Sequence, residues 1–350
     1  MTTVRTRGEK IRTFMLNSLA SHPRDIVRVT ADEFSITRQA AHRHLRNLIA
    51  EQAVVCEGAT RNKLYRLAKL SEWETWIDIH PGLGESLIWG QAVVPQLGPL
   101  PENVRNIWQY GFTEMFNNVI DHSDSKTAHI RIKKTAVSTE LSISDFGVGI
   151  FRKIQLALSL ADARHSVLEL SKGKFTTDPK NHSGEGIFFA SRLFDSFRIL
   201  AGGVFFSHNF ESDEDWILKD GHEVESEPDR GTRVVMVLKN HTARTTKAVM
   251  DEYADVDWGF TKTVVPVRLT QYGDDNLISR SQAKRLLARF DRFRTVMLDF
   301  SGVEMIGQAF ADEVFRVFTN QHPEISLQEI SCSQSVADMI ARVRATAALP

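Results

Sequence analysis

The stretch TEMFNNVIDHS, Thr113 to Ser123, spaces Glu114, Asn118 and His122 at i, i+4 and i+8. On a helix these three polar side chains share one side. Met115, Phe116, Val119 and Ile120 fall on the other side and are expected to be buried. A carboxylate one turn from an amide suits a water-activating base beside a magnesium ligand.

Two more motifs follow in order. In LSISDFGVGI, Leu141 to Ile150, alternating Leu141 and Ile143 read as a strand, Asp145 ends it, and Gly147 and Gly149 open a turn. In HSGEGIFFASRLFD, His182 to Asp195, Gly184 and Gly186 introduce a helix whose first amides can hold phosphates. Between them SKGKFTTDPKNHSGEG is polar and rich in turn residues, with Lys172, Lys174 and Lys180 in reach of an anion; Lys174 ranks first. Gly231-Thr232 then precedes the strand RVVMVLK. A single DxGxG is weak, but three motifs in this order and a final GT-strand are much stronger together.

This order resembles the GHKL ATPase module of DNA gyrase, the MutL mismatch-repair ATPase, heat-shock chaperone ATPases, histidine kinases and anti-sigma kinases. The resemblance covers about residues 101–240 and implies a Bergerat α/β sandwich, a mixed sheet with helices on one face. It implies that ATP and Mg²⁺ are bound, with Asn118 on the metal, Glu114 as general base and Asp145 on the adenine amino group. Gly147 and Gly149 would let the backbone approach the ring, with Thr232 beside it. His122, Gly184, Gly186 and Lys174 would lie near the phosphates. Glu185 departs from the pattern, since many kinases carry Thr, Ser or Gly there.

Residues 1–70 carry 13 Lys/Arg against 6 Asp/Glu, a balance of +7, so the remainder carries −8. That asymmetry points to a polyanion partner for the N-terminal segment. Glu9 to Ala20 reads as an amphipathic helix with Ile11, Phe14, Met15 and Leu19 inward. Thr30 is expected to cap a short second helix, with Glu33 at the capping-box position. Ser35 precedes a third helix, Ile36 to Gln52, whose outer face takes Arg38, Gln39, His42, Arg43 and Arg46. Val54–Cys56 and Leu64–Leu67 read as two short strands, with Gly58, Arg61, Asn62 and Lys63 between them. Three helices and a basic hairpin resemble a winged helix-turn-helix. The resemblance implies DNA as partner: the helix residues at base edges or phosphates, Arg61 and Lys63 on flanking phosphates.

Residues 71–100, with Trp73, Trp76, Trp89 and several Gly and Pro, read as a packed connector. After a short acidic bridge, residues 261–350 read as a small α/β layer: strands Thr263–Leu269, Thr295–Phe300 and Leu327–Cys332, helices Ser279–Phe290 and Ser335–Val343. DFSGVEMIGQAFADEVF, Asp299 to Phe315, resembles a STAS-like domain. Where anti-sigma antagonists carry a phosphorylatable Ser or Thr, this chain has Gly307-Gln308-Ala309. Ser301, the nearest hydroxyl, reads as a turn residue.

The expectation is thus an α+β multidomain protein. Its composition, 42% hydrophobic and 25% charged, is that of a soluble globular chain, without an apolar run near 18 residues. No membrane partner is expected. Cys56 and Cys332 are far apart and lack metal spacing, which fits a cytoplasmic setting. The leading function is an ATP-responsive DNA-binding regulator, with a protein partner or homodimer left open. The alternatives are slow ATP hydrolysis with Glu114 as base, or a protein kinase of the histidine or serine type. His80 is followed by Pro81-Gly82, which suits a loop and not a phospho-accepting dimerisation helix.

Overall fold

The computed structural model describes residues 2–59, 62–176, 183–210, 216–220, 230–255, 259–271 and 276–347. Arg61, Lys180, His182, Asp257 and Gly273 lie outside the described residues.

The N-terminal unit is three helices, α1 (Thr2–Ser18), α2 (Ile26–Glu33) and α3 (Arg38–Ala50), then an antiparallel hairpin of β1 (Val54–Glu57) and β2 (Leu64–Leu67). Met15, Leu19, Ile26, Leu45, Leu48 and Val54 close a core of its own. One helix boundary and one capping expectation are corrected: α3 runs over Arg38–Ala50, within the expected Ile36 to Gln52. Thr37, in extended conformation, caps α3 by accepting from the Ala40 amide, while Ser35 sits before it at φ 49°. Thr30 lies buried inside α2, which starts a turn earlier after Asp25. The wholly buried Ile26 explains this: its packing extends the helix upstream of the local capping signal.

The central unit is a seven-stranded sheet in the order β3-β4-β5-β9-β6-β7-β8. Its strands are β3 (Ser71–Asp78), β4 (Thr127–Lys134), β5 (Ser138–Asp145), β6 (Ser196–Ala201), β7 (Val204–Asn209), β8 (Trp216–Asp220) and β9 (Arg233–Lys239). Every pairing is antiparallel. β3 corrects the reading of residues 71–100 as connector. Its eight residues are the edge strand of the sheet, with Trp73, Thr75 and Ile77 alternating against Glu72, Glu74 and Trp76. The rest of that segment holds α4 (Glu85–Ile88), a π-helical turn Trp89–Val93 and α5 (Val94–Leu97).

Ala128, Ile130, Ile132, Leu141 and Ile143 are buried on one face, in one cluster with Trp108, Phe112, Met115 and Phe116 of α6 (Glu102–His122). The opposite face carries ion pairs across strands, Arg131 with Glu72 and Glu140 with both Lys133 and Arg198. α7 (Ile150–Ala157), α8 (His165–Lys172) and α9 (Gly186–Leu193) complete this layer. The bridge holds a further helix, α10 (Thr246–Tyr253), capped by Thr245 and packed on α9 through Tyr253 and Phe188, ring centroids 5.1 Å apart.

After the short pair β10 (Ala254–Asp255) and β11 (Gly259–Phe260), the C-terminal unit has a parallel sheet, β12 (Lys262–Pro266), β13 (Thr295–Asp299) and β14 (Ser326–Ile330). Pro266 ends β12 short of the expected Leu269, and a 3-10 turn covers Val267–Thr270. α11 (Arg280–Leu287) opens on a capping box between Ser279 and Gln282. α12 (Gln308–Asp312) continues through a π-helical stretch, Glu313–Phe318, into α13 (Thr319–Gln321), and α14 (Gln334–Ala347) closes the chain. The protein is therefore α+β, and it mixes antiparallel and parallel pairing. Its central and C-terminal units share one continuous apolar core. No helix among the described residues is long and apolar enough to cross a membrane.

Candidate functional site

A cavity of about 390 Å³ opens between α6, the end of β5, α7, α9 and β9. That volume falls in the range of roughly 300–1,000 Å³ usual for small-molecule sites. Glu114, Asn118, His122, Asp145, Gly149, Gly184, Gly186 and Thr232 all line it. Ile143, Ile150, Ile154, Leu170, Phe188 and Val234 supply apolar wall.

One end is built around Asp145. The residue is 4% exposed, and its carboxyl accepts from the Gly147 amide at 2.9 Å and hydrogen-bonds Thr232. Burial pushes its pKa above the ordinary carboxylate value, against those hydrogen bonds and the charge of Lys153. The Thr232 hydroxyl also accepts from the Ile150 amide at 3.0 Å, so it ties β9 to the first turn of α7. Gly147 does not line the cavity; it lets the turn pass against the carbonyl of Ser123 at the end of α6, where a Cβ would collide. Gly149, at φ 86°, turns the chain into α7.

The other end sets Glu114 against α9. A side chain at Gly186 would strike the Glu114 carboxylate, so that glycine brings the start of α9 onto the polar side of α6. Glu185 is the residue before α9, and burial raises its pKa while Lys174 opposes the shift. Tyr110, one turn before Glu114, has its phenol pKa pushed up by burial and by the carboxylates of Glu114 and Glu185. A carboxylate, an amide and a helix N-terminus around one opening can hold a cation and an anion together.

Two lysines change places relative to the sequence reading. Lys174 does not line the cavity. Its ammonium donates to the Arg292 carbonyl at 3.0 Å and lies 5.1 and 5.4 Å from the ring centroids of Phe293 and Phe260, so the C-terminal unit has claimed it. Lys153 of α7 does line the cavity, held by Asp124 at 3.2 Å and by the His122 carbonyl at 2.5 Å. Its signal in the sequence was a basic residue one turn past Gly149, too common a feature to single out.

On the N-terminal unit Arg38, Gln39, His42, Arg43 and Arg46 are all exposed along α3, and Lys63 is exposed beside the hairpin. His80 lies exposed in the loop after β3, not on a helix. Ser301 donates to Asp299 at 2.7 Å in a turn, and Gln308 opens α12 after Gly307. Cys56 and Cys332 are free thiols.

The comparison with curated proteins returns no match for the chain. Residues 282–337, from α11 into the first turn of α14, match the family model described as a STAS-like domain of unknown function (DUF4325), and the C-terminal unit is thus STAS-like.

Proposed function

We propose that this chain is a nucleotide-responsive regulator: a GHKL-type module binds ATP with Mg²⁺ in the central cavity, and its state is read out by DNA binding through a winged helix. Asp145 accepts from the adenine amino group, Asn118 ligates Mg²⁺, and His122 and the first amides of α9 face the phosphates. The exposed row Arg38, Gln39, His42, Arg43 and Arg46 meets the major groove, and Lys63 meets flanking phosphate. The observation carrying this reading is the convergence of three motifs, distant in sequence, on one cavity of nucleotide size. Such coupling needs contacts that differ between the two nucleotide states. Titration of Mg-ATP into the full chain, followed by DNA-affinity measurements, tests both halves. Asn118→Ala is expected to abolish Mg²⁺-dependent binding and the effect of ATP on DNA. Equal DNA affinity of the wild type with and without ATP would sink the coupling.

The seat of Glu114 against the start of α9 favours a second reading, slow ATP hydrolysis with Glu114 as base. Glu114→Ala should then keep ATP and lose phosphate release. Unchanged turnover would leave Glu114 a packing residue.

A further inference from the structure

The loop that walls the cavity is rooted in the STAS-like domain. Lys172, at the end of α8, is wholly buried, and its ammonium donates to Glu169 at 2.7 Å and to the carbonyls of Arg285 and Ala288 at 3.2 and 2.9 Å. Those carbonyls are at the C-terminal end of α11, the end of a helix that favours a cation. Thr263 of β12 donates to the Lys172 carbonyl at 2.8 Å. Arg289, itself at a left-handed φ of 66°, donates to Glu169 at 2.8 Å and to the carbonyls of Gly173 and Lys174 at 3.0 and 2.7 Å. Arg292 donates to the same Lys174 carbonyl at 2.7 Å.

The gripped backbone is unusual. Gly173 and Lys174 are consecutive left-handed residues, at φ 80° and 51°. A Cβ at Gly173 would crowd Phe188 and Phe260, so this turn is fitted to its pocket. Immediately after it Phe175 and Thr176 line the cavity, and the Phe175 amide donates to the Gly184 carbonyl at 3.1 Å. The grip is thus in sequence contact with the cavity wall and bonded across to the second glycine motif.

We propose that the STAS-like domain regulates the nucleotide site by clamping the root of this loop, with Arg289 and Arg292 as positioning residues. The planar guanidinium of Arg289 holds two successive carbonyls and a carboxylate at once, which a lysine ammonium on a flexible stem does not reproduce. By linkage, whatever displaces the clamp changes nucleotide affinity, and bound nucleotide changes the clamp by the same factor. This inference rests on reading the cavity as a nucleotide site.

The test uses the full chain with Arg289→Lys and Arg292→Ala; Arg292 is exposed, so its replacement leaves the fold intact even if the first variant is destabilised. Hydrogen exchange without nucleotide is followed at the amides of residues 174–176 and at those of β12 to β14, and Mg-ATP affinity is measured by calorimetry. Loss of charged hydrogen bonds should speed exchange at 174–176 by about tenfold and weaken ATP by about tenfold, with the β12–β14 amides unchanged. Wild-type exchange at 174–176 in both variants overturns the clamp. Faster exchange with unaltered ATP affinity overturns its control of the site. A wild-type chain that binds no ATP refutes the nucleotide reading and with it the regulatory claim, while exchange alone still decides whether the domain grips the loop.

Discussion

Glu114 and Gly186 are packed so closely that the glycine has no room for a side chain beside the carboxylate. Gly186→Ala should push Glu114 off its place and lower the melting temperature. Glu114→Ala removes the obstacle, so the double variant should be more stable than the sum of the single losses predicts. Coupled neighbours typically show about 0.5–3 kcal/mol of interaction energy. Thermal melts of the four proteins measure it, and strict additivity would mean that the two groups do not touch.

Asp145 gives a pH signature. Burial raises its pKa in the folded chain above the ordinary 3.8, so between those two values the folded state holds the proton more tightly than the unfolded state. In that window this group's contribution to stability rises as pH falls, and at neutral pH its ionised form carries a desolvation cost. Asp145→Asn should therefore flatten the acid side of the stability profile without lowering the melting temperature at pH 7. The same substitution should weaken ATP by about tenfold, the worth of one charge-assisted hydrogen bond. Urea titrations across pH 4–7 and calorimetry check the two effects separately.

His208 has the opposite sign. It is 8% exposed on β7, and burial, with Arg192 and Arg244 nearby, lowers its pKa from 6.5 to about 3. The unfolded chain takes up the proton below 6.5 and the folded chain does not. Stability contributed by this neutral imidazole is complete above pH 6.5 and is lost on acidification toward pH 3. One such group gives a slope of up to about 1.4 kcal/mol per pH unit. His208→Gln should remove that slope from denaturation curves taken between pH 6.5 and 4, and an unchanged slope would assign the acid sensitivity elsewhere.

The exposed row on α3 makes a prediction about salt. Arg43→Ala should leave the stability within about 0.5 kcal/mol of wild type, since the residue is exposed. If Arg43 meets a phosphate, DNA affinity falls and the log–log salt slope shrinks by about one. Affinity unchanged at every salt concentration would remove α3 from the DNA surface.

Periodicity made the central helix legible. The i, i+4, i+8 phase of Glu114, Asn118 and His122 is a local property, and the structure turns that side to the cavity while Met115 and Phe116 are buried. The β-α-β-α order of the last ninety residues was readable too, though not the parallel pairing of its strands, and its STAS-like character was visible in Asp299–Phe315. β3 had its alternation on display, but the tryptophans drew the reading toward packing, and only the partner strand β4 makes an edge strand of it. α10 was masked by the charges of the bridge, and its buried Val249 and Tyr253 are too few to stand out in the sequence; Tyr253 is met by Phe188 and Phe189, far along the chain. Lys174 stands in a polar, turn-rich stretch before the second glycine motif. What decides its direction is a carbonyl and two rings far along the chain, and no local signal carries such a long-range contact.

Only Ala68, Lys69 and Leu70 separate the last hairpin strand from β3, and the Leu70 amide already bonds to the Lys134 carbonyl of the sheet. Three residues span about 10 Å at full extension. The N-terminal unit is therefore mounted on the sheet like a short outrigger, with little chain to swing on. If it reads a duplex, the angle at which it meets the groove is set by the edge of the sheet. The distance between two such heads would then be fixed by how the bodies pair, with no slack in a tether to adjust it.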